Sequence, residues 1–136
     1  MKKKLVNEMI ERMNLEKYRH ISVENYSGGN KRKLSVALAL IGGPSIILLD
    51  EPSAGMDPES RRFMWNVINQ LSTESKNSSI LLTTHSMEEA EALASKIAII
   101  AEGKILTIGS VYQLKEKYGK NYELDIKLEL PAHEVI

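Results

Sequence analysis

Three short aliphatic runs, Ile46–Leu49, Ile80–Leu82 and Ile97–Ala101, limit the possible folds of this chain more than any other feature. Each has strand length and no polar interruption, the pattern of strands covered on both faces and the habit of parallel sheets. The intervals between them carry helical patterning. One helix is expected from Pro58, with Asp57 as its cap, to about Ser75. A second follows Ser86, where Glu89 stands at the spacing that completes a capping box. Strand, helix, strand, helix, strand is the order of an α/β fold with right-handed crossovers.

Upstream, Leu5, Val6, Met9, Ile10 and Met13 form one helical stripe that runs to about Asn14. A polar connector, Glu16 to Asn25, follows. Ser27 is then an N-cap candidate with Gly28 and Gly29 in the first turn, and the helix continues through Leu34 to Ile41. Gly42-Gly43-Pro44 stops it, because glycine suits a left-handed cap and proline cannot continue a helix. Downstream, Glu102-Gly103 marks a hairpin turn into Lys104–Ile108, and Ser110 caps a short helix ending near Gly119. Tyr122–Leu130 alternates as a final strand does. Three regions result: 1–44 helical, 45–101 the α/β core, and 102–136 a hairpin, short helix and strand.

The formal net charge is zero, which argues against a nucleic-acid binder acting through whole-surface electrostatics. With no cysteine, a disulfide scaffold and a thiolate metal site are excluded as well. Asn7 and Glu8 interrupt the stretch after Lys2–Lys4 too early for the apolar centre of a signal peptide. The longest apolar runs are strand-length, so none is a membrane-spanning helix.

The chemistry-bearing residues fall at predictable places in this frame. Backbone N–H groups at a helix start attract anions, and Ser27 before Gly28-Gly29 adds a hydroxyl and room for close approach. Alone the tripeptide is an ordinary turn; Lys31-Arg32-Lys33 and the immediate helix raise its weight. Asp50 and Glu51 end the first buried run, on the edge where open α/β sheets bind ligands. Adjacent carboxylates there are costly unless solvated or paired with a cation. An Asp facing Mg²⁺, directly or through water, and a Glu polarising an attacking water meet that cost. His85 follows Thr83 and Thr84 at the end of the second run, the equivalent edge. Phe63 and Trp65 suit core or docking roles. His20 and His133 lack partners at metal-ligand spacing.

Together these segments resemble the nucleotide-binding domain of ATP-binding cassette transporters, a P-loop NTPase-like parallel sheet with flanking helices. Tyr26–Asn30 is similar to the signature motif, Ile46–Glu51 to Walker B, Ser53–Asp57 to the D-loop, and His85 to the switch histidine. The similarity runs from about Tyr26 to about Leu130. Asn30-Lys31-Arg32-Lys33, Gly55-Met56-Asp57-Pro58 with Arg61-Arg62, and Thr84 through Glu89 resemble the A subfamily, largely lipid transporters.

The resemblance implies ATP and Mg²⁺ as cofactors, with Asp50 in the Mg²⁺ shell, Glu51 as general base and His85 at the γ-phosphate. Ser27, Gly28, Gly29 and Asn30 are implied to touch ATP held by a second nucleotide-binding domain in a head-to-tail sandwich, with Asp57 in the seam. It further implies transmembrane domains as partners, a place on the cytoplasmic face of a membrane, and no nucleic acid.

One departure is large. No Gly-x-x-x-x-Gly-Lys-Ser/Thr occurs in the chain, so the Walker A loop and its strand are missing, and the sheet is expected to be incomplete. In the family that strand lies between those resembling Ile80–Thr84 and Ile97–Ala101. Each buried unpaired amide costs about 1–3 kcal/mol against a typical total stability of about 5–15 kcal/mol. The chain is therefore expected to be a C-terminal portion of such a domain, inactive and poorly stable alone. The alternatives are a catalytically inert half-domain that only binds, and part of a soluble ATPase of the same class.

Overall fold

A computed structural model describes residues 2–74 and 78–119. Contacts divide the chain into two units, Met1–Ala94 and Ser95–Ile136.

The first unit opens with α1 (Lys2–Arg12), whose stripe feeds the core through Met13 and Leu15. The polar connector folds into two short 3₁₀ turns, Glu16–Tyr18 and Val23–Asn25. Tyr26 closes it: its hydroxyl donates to the Tyr18 carbonyl at 2.8 Å, and the two rings lie 5.6 Å apart. That anchor places the next residue, Ser27, at the start of α2 (Gly28–Leu40), where its hydroxyl accepts the Asn30 N–H at 3.2 Å. The helix ends at Leu40, and just beyond it Gly43 takes a φ of +60°, the left-handed conformation anticipated from the Gly-Gly-Pro stop.

Strand β1 (Ile46–Asp50) pairs in parallel with β2 (Ser79–Thr83), Ile47 opposite Ile80 and Asp50 opposite Thr83. Helix α3 (Pro58–Glu74) makes the crossover, and α4 (Met87–Leu93) follows β2. Asp57 caps α3 by accepting the Ser60 N–H at 2.9 Å. That bond holds the Asp57 carboxyl below the usual carboxylate range, so the cap persists at neutral pH. Its contribution is lost only as pH falls through the lowered value.

Met64, Val67, Ile68 and Leu71 of α3 bury one face against Ile47 and Leu49 of β1, with Val36, Ala37 and Leu40 of α2 and Met13 in the same cluster. The other face of the sheet departs from expectation. Ile46 and Leu48 are each 69% exposed and Leu81 is 66% exposed, so burial alternates and the aliphatic runs are not covered on both sides. The helices that the described chain supplies pack on the Ile47–Leu49 side only. Covering the second side takes a further layer, as a run apolar on both faces requires.

A second correction concerns Glu89. Ser86 does cap α4, accepting the Glu89 N–H at 3.3 Å, but the reciprocal half of the capping box does not form. The Ser86 N–H is already satisfied by the Thr84 hydroxyl at 3.0 Å, and the Glu89 carboxylate turns inward to the Trp65 indole.

In the second unit, β3 (Ile97–Ala101) and β4 (Lys104–Gly109) form an antiparallel hairpin. Glu102 and Gly103 make the turn with φ of 50° and 71°, two successive positive values that match strand twist. Helix α5 (Val111–Tyr118) starts at Ser110 with a complete capping box, in which Gln113 Oε1 accepts the Ser110 N–H at 2.9 Å. The strand expected over Tyr122–Leu130 lies outside the described residues. Each sheet has two strands among the described residues.

Candidate functional site

Parallel pairing in register brings the ends of β1 and β2 side by side, and with them four polar side chains. The Thr83 hydroxyl donates to Asp50 Oδ1. One residue on, the Glu51 N–H donates to the Thr83 carbonyl at 3.0 Å, extending the ladder past the strand end. Glu51 takes a φ of 49° there, a left-handed conformation costing on the order of 1 kcal/mol for a residue with a Cβ. The turn swings its side chain towards the β2 end, where His85 Nδ1 lies 3.0 Å from Oε1 and 2.9 Å from Oε2.

A carboxylate only accepts, so this contact assigns the proton to Nδ1 of the imidazole and leaves Nε2 to a ligand. Glu51 is half-buried, whereas Asp50 and His85 are exposed. The group is therefore open to solvent.

The described residues hold no cluster of three or more metal-ligating side chains. A single exposed Asp fits Mg²⁺, which keeps several waters and takes its remaining ligands from one or two carboxylates and phosphate oxygens.

The signature segment joins the loop after β1 by a different contact. Gly29 lies against Met56, whose Cε would stand 3.8 Å from a Cβ at position 29. Met56 is buried, and its carbonyl accepts from Arg61 Nη2 at 3.4 Å. Ser27 and Gly28 are exposed at the start of α2, whereas Asn30 is buried. The basic cluster splits: Lys31 is exposed, Arg32 half-buried, and Lys33 buried with Nζ 4.5 Å over the Phe63 ring.

Sequence reasoning did not single out Thr83, Met56 or Trp65 for the site. The register that places Thr83 opposite Asp50 was readable in principle, since both residues end matched aliphatic runs. The packing of Met56 on Gly29 has no counterpart in sequence spacing.

Two parallel strands thus end in Asp-Glu and Thr-Thr-His, and the Ser-Gly-Gly helix start packs through Gly29 on Met56 of the loop that follows the first of them. A family described as "AAA domain, putative AbiEii toxin, Type IV TA system" matches residues 7–91. The chain belongs to this family of AAA-type ATPase domains.

Among curated relatives, the human retinal-specific phospholipid-transporting ATPase ABCA4 is 44% identical over 133 residues, covering 98% of this chain and 6% of that protein. ABC transporter A family member 4 of Dictyostelium discoideum is 45% identical, covering 93% of this chain and 8% of its own length. The mouse glucosylceramide transporter ABCA12 is also 45% identical, covering 93% of this chain and 5% of its own length. The chain thus spans less than a tenth of the length of these relatives.

The fold resembles that of the ATP-binding cassette MJ0796, solved as a dimer in a post-hydrolysis state with ADP and Pi. The TM-score is 0.72 at 22% identity, over 79% of this chain and 46% of that one. The α/β class and its partial extent are therefore as expected. No helix among the described residues is long and apolar enough to cross a membrane.

Proposed function

We propose that this chain supplies the signature and Walker B portion of an ATP-binding cassette ATPase domain, which couples ATP hydrolysis to lipid movement in a larger A-subfamily transporter. The observation that carries the reading is the Glu51 carboxylate, held by His85 Nδ1 at 2.9–3.0 Å beside Asp50 at two adjoining strand ends.

In this reading Asp50 faces Mg²⁺ through water. Glu51 polarises the water that attacks the γ-phosphate and takes its proton. His85 fixes the Glu51 carboxylate through Nδ1 and presents Nε2 to the γ-phosphate. Ser27, Gly28, Gly29 and Asn30 form the α2 N-terminus that meets ATP on a second domain, Gly28 and Gly29 through their N–H groups and Asn30 by holding the Ser27 hydroxyl through its own N–H, and Asp57 lines the seam. Support for the dimer comes from the related cassette, solved as a dimer. The names of the relatives support a lipid substrate; transmembrane partner domains and a position at the cytoplasmic face of a membrane belong to the same proposal through the family resemblance.

The experiment joins this chain to the segment that precedes the matched region in an A-subfamily relative, where the family carries its phosphate loop. Phosphate release is then measured with MgATP. Saturable release is expected. A joined protein that folds cooperatively and binds MgATP but releases no phosphate favours the second reading, an inert half-domain that only binds. That reading is motivated by the absence of a phosphate-loop motif from these 136 residues.

A further inference from the structure

Glu89 is 1% exposed, the most deeply buried ionisable side chain among the described residues, and the expected capping role does not account for it. Burying a carboxylate is costly unless it is hydrogen-bonded. Its described partner is the indole of Trp65, with Nε1 3.1 Å from Oε1. The same N–H points at the Ser53 hydroxyl oxygen, 3.3 Å away. An indole has one proton and no acceptor, so it is shared between the two oxygens as a three-centre bond.

The two acceptors belong to different functional segments. Ser53, 4% exposed, opens the loop that leaves Glu51 and ends at Met56 and Asp57. At its far end that loop packs on Gly29 through Met56 and caps α3 through Asp57. Glu89 lies on α4, four residues after His85 and within the turn capped by Ser86. One proton on α3 therefore ties the loop after Glu51 to the helix behind His85. Arg61, one helical turn before Trp65, holds the far end of the same loop through the Met56 carbonyl.

We propose that Trp65 is a positioning residue that keeps the Ser53–Asp57 loop in register with the His85 segment, through an indole N–H shared by Ser53 and Glu89. Movement of the loop when a second domain docks on it shifts the sharing of that proton and so reaches α4 and His85. The functional consequence rests on the ATPase reading; the link itself does not involve nucleotide.

Trp65 is the only tryptophan in the chain, so its indole proton gives a single resonance. In the 136-residue chain that proton is expected to exchange with solvent at least about tenfold more slowly than in free tryptophan, as a half-buried, hydrogen-bonded group does. Glu89→Gln keeps an accepting oxygen and should retain the protection. Glu89→Leu keeps the volume, leaves the Ser53 hydroxyl as the one remaining acceptor of the pair, and should lose part of it. Amide exchange in the Ser53 loop should also rise in Glu89→Leu, although residue 89 is on another element, while β1 and β2 amides stay unchanged.

An unprotected indole proton in the wild-type chain overturns the proposal. So does Glu89→Leu with the loop at its wild-type rate, or with exchange raised evenly over residues 1–94.

In the joined ATPase, Trp65→Phe should lower kcat about tenfold with KM for MgATP unchanged, because one hydrogen bond of alignment is lost while the binding groups remain. A joined wild-type protein that fails to hydrolyse ATP counts against the ATPase reading alone, since the exchange result stands without it.

Discussion

Replacing Glu51 by Gln in the joined ATPase is expected to slow phosphate release by roughly 10²–10⁴-fold, the usual contribution of a positioned general base. MgATP affinity should hardly change. The amide has nearly the size of the carboxylate and still accepts from His85 Nδ1 through its oxygen, so the 2.9–3.0 Å contact survives in kind. It cannot take a proton from water. Asp50, paired with Thr83, stays in place to face Mg²⁺. The check is a split between constants: kcat falls while the dissociation constant for MgATP holds. A parallel loss of both would mean that Glu51 holds the nucleotide and does not activate water. Unchanged turnover would remove the general-base assignment altogether.

Met64→Ala is expected to destabilise the first unit by about 2–5 kcal/mol, the range for emptying a fully buried methionine site. Met64 is 0% exposed and belongs to the cluster joining α3 to β1, α2 and Met13. A loss of that size is a large part of the total of about 5–15 kcal/mol available to a domain. It falls on a unit whose sheet covers one face only. Urea unfolding of the chain checks it, with Met64→Leu as the volume-conserving control that should cost less than about 1.5 kcal/mol. Equal midpoints for Met64→Ala and the parent chain would mean that this cluster is not the core that holds the unit together.

Among the described residues, the strands, helices and turn residues were legible because each is set by local pattern. Ser27, Asp57, Ser86 and Ser110 cap where their side chains precede a helical stripe, and Glu102-Gly103 turns where two positive φ values are needed. The placing of Asp50, Glu51 and His85 on one edge followed from the end of each aliphatic run.

Two readings failed for a common reason. Coverage of both sheet faces and closure of the Ser86–Glu89 box are tertiary properties. An aliphatic run states that a face can be buried, and the layer that buries it is a separate matter. The Ser-x-x-Glu spacing permits a reciprocal bond, yet a nearby Thr84 hydroxyl takes the donor and Trp65 takes the acceptor. The packing of Met56 on Gly29 was illegible because it joins segments 27 residues apart through side-chain shape, which no spacing rule encodes.

The site residues divide along the same line. Asp50, Glu51 and His85 are drawn together by strand register, which the sequence constrains tightly. The Ser27–Asn30 helix start exposes Ser27 and Gly28, and in the proposed function it acts only with a phosphate brought from elsewhere.

The central claim, that these motifs form a working site only with a phosphate loop supplied from outside these residues, is tested most directly by a MgATP titration. The 136-residue chain alone is compared with the same chain joined to a phosphate-loop segment. No saturable binding by the chain alone, with binding restored on joining, is the result this account predicts. Saturable binding by the chain alone would contradict it and place a phosphate cradle among residues given no such role here.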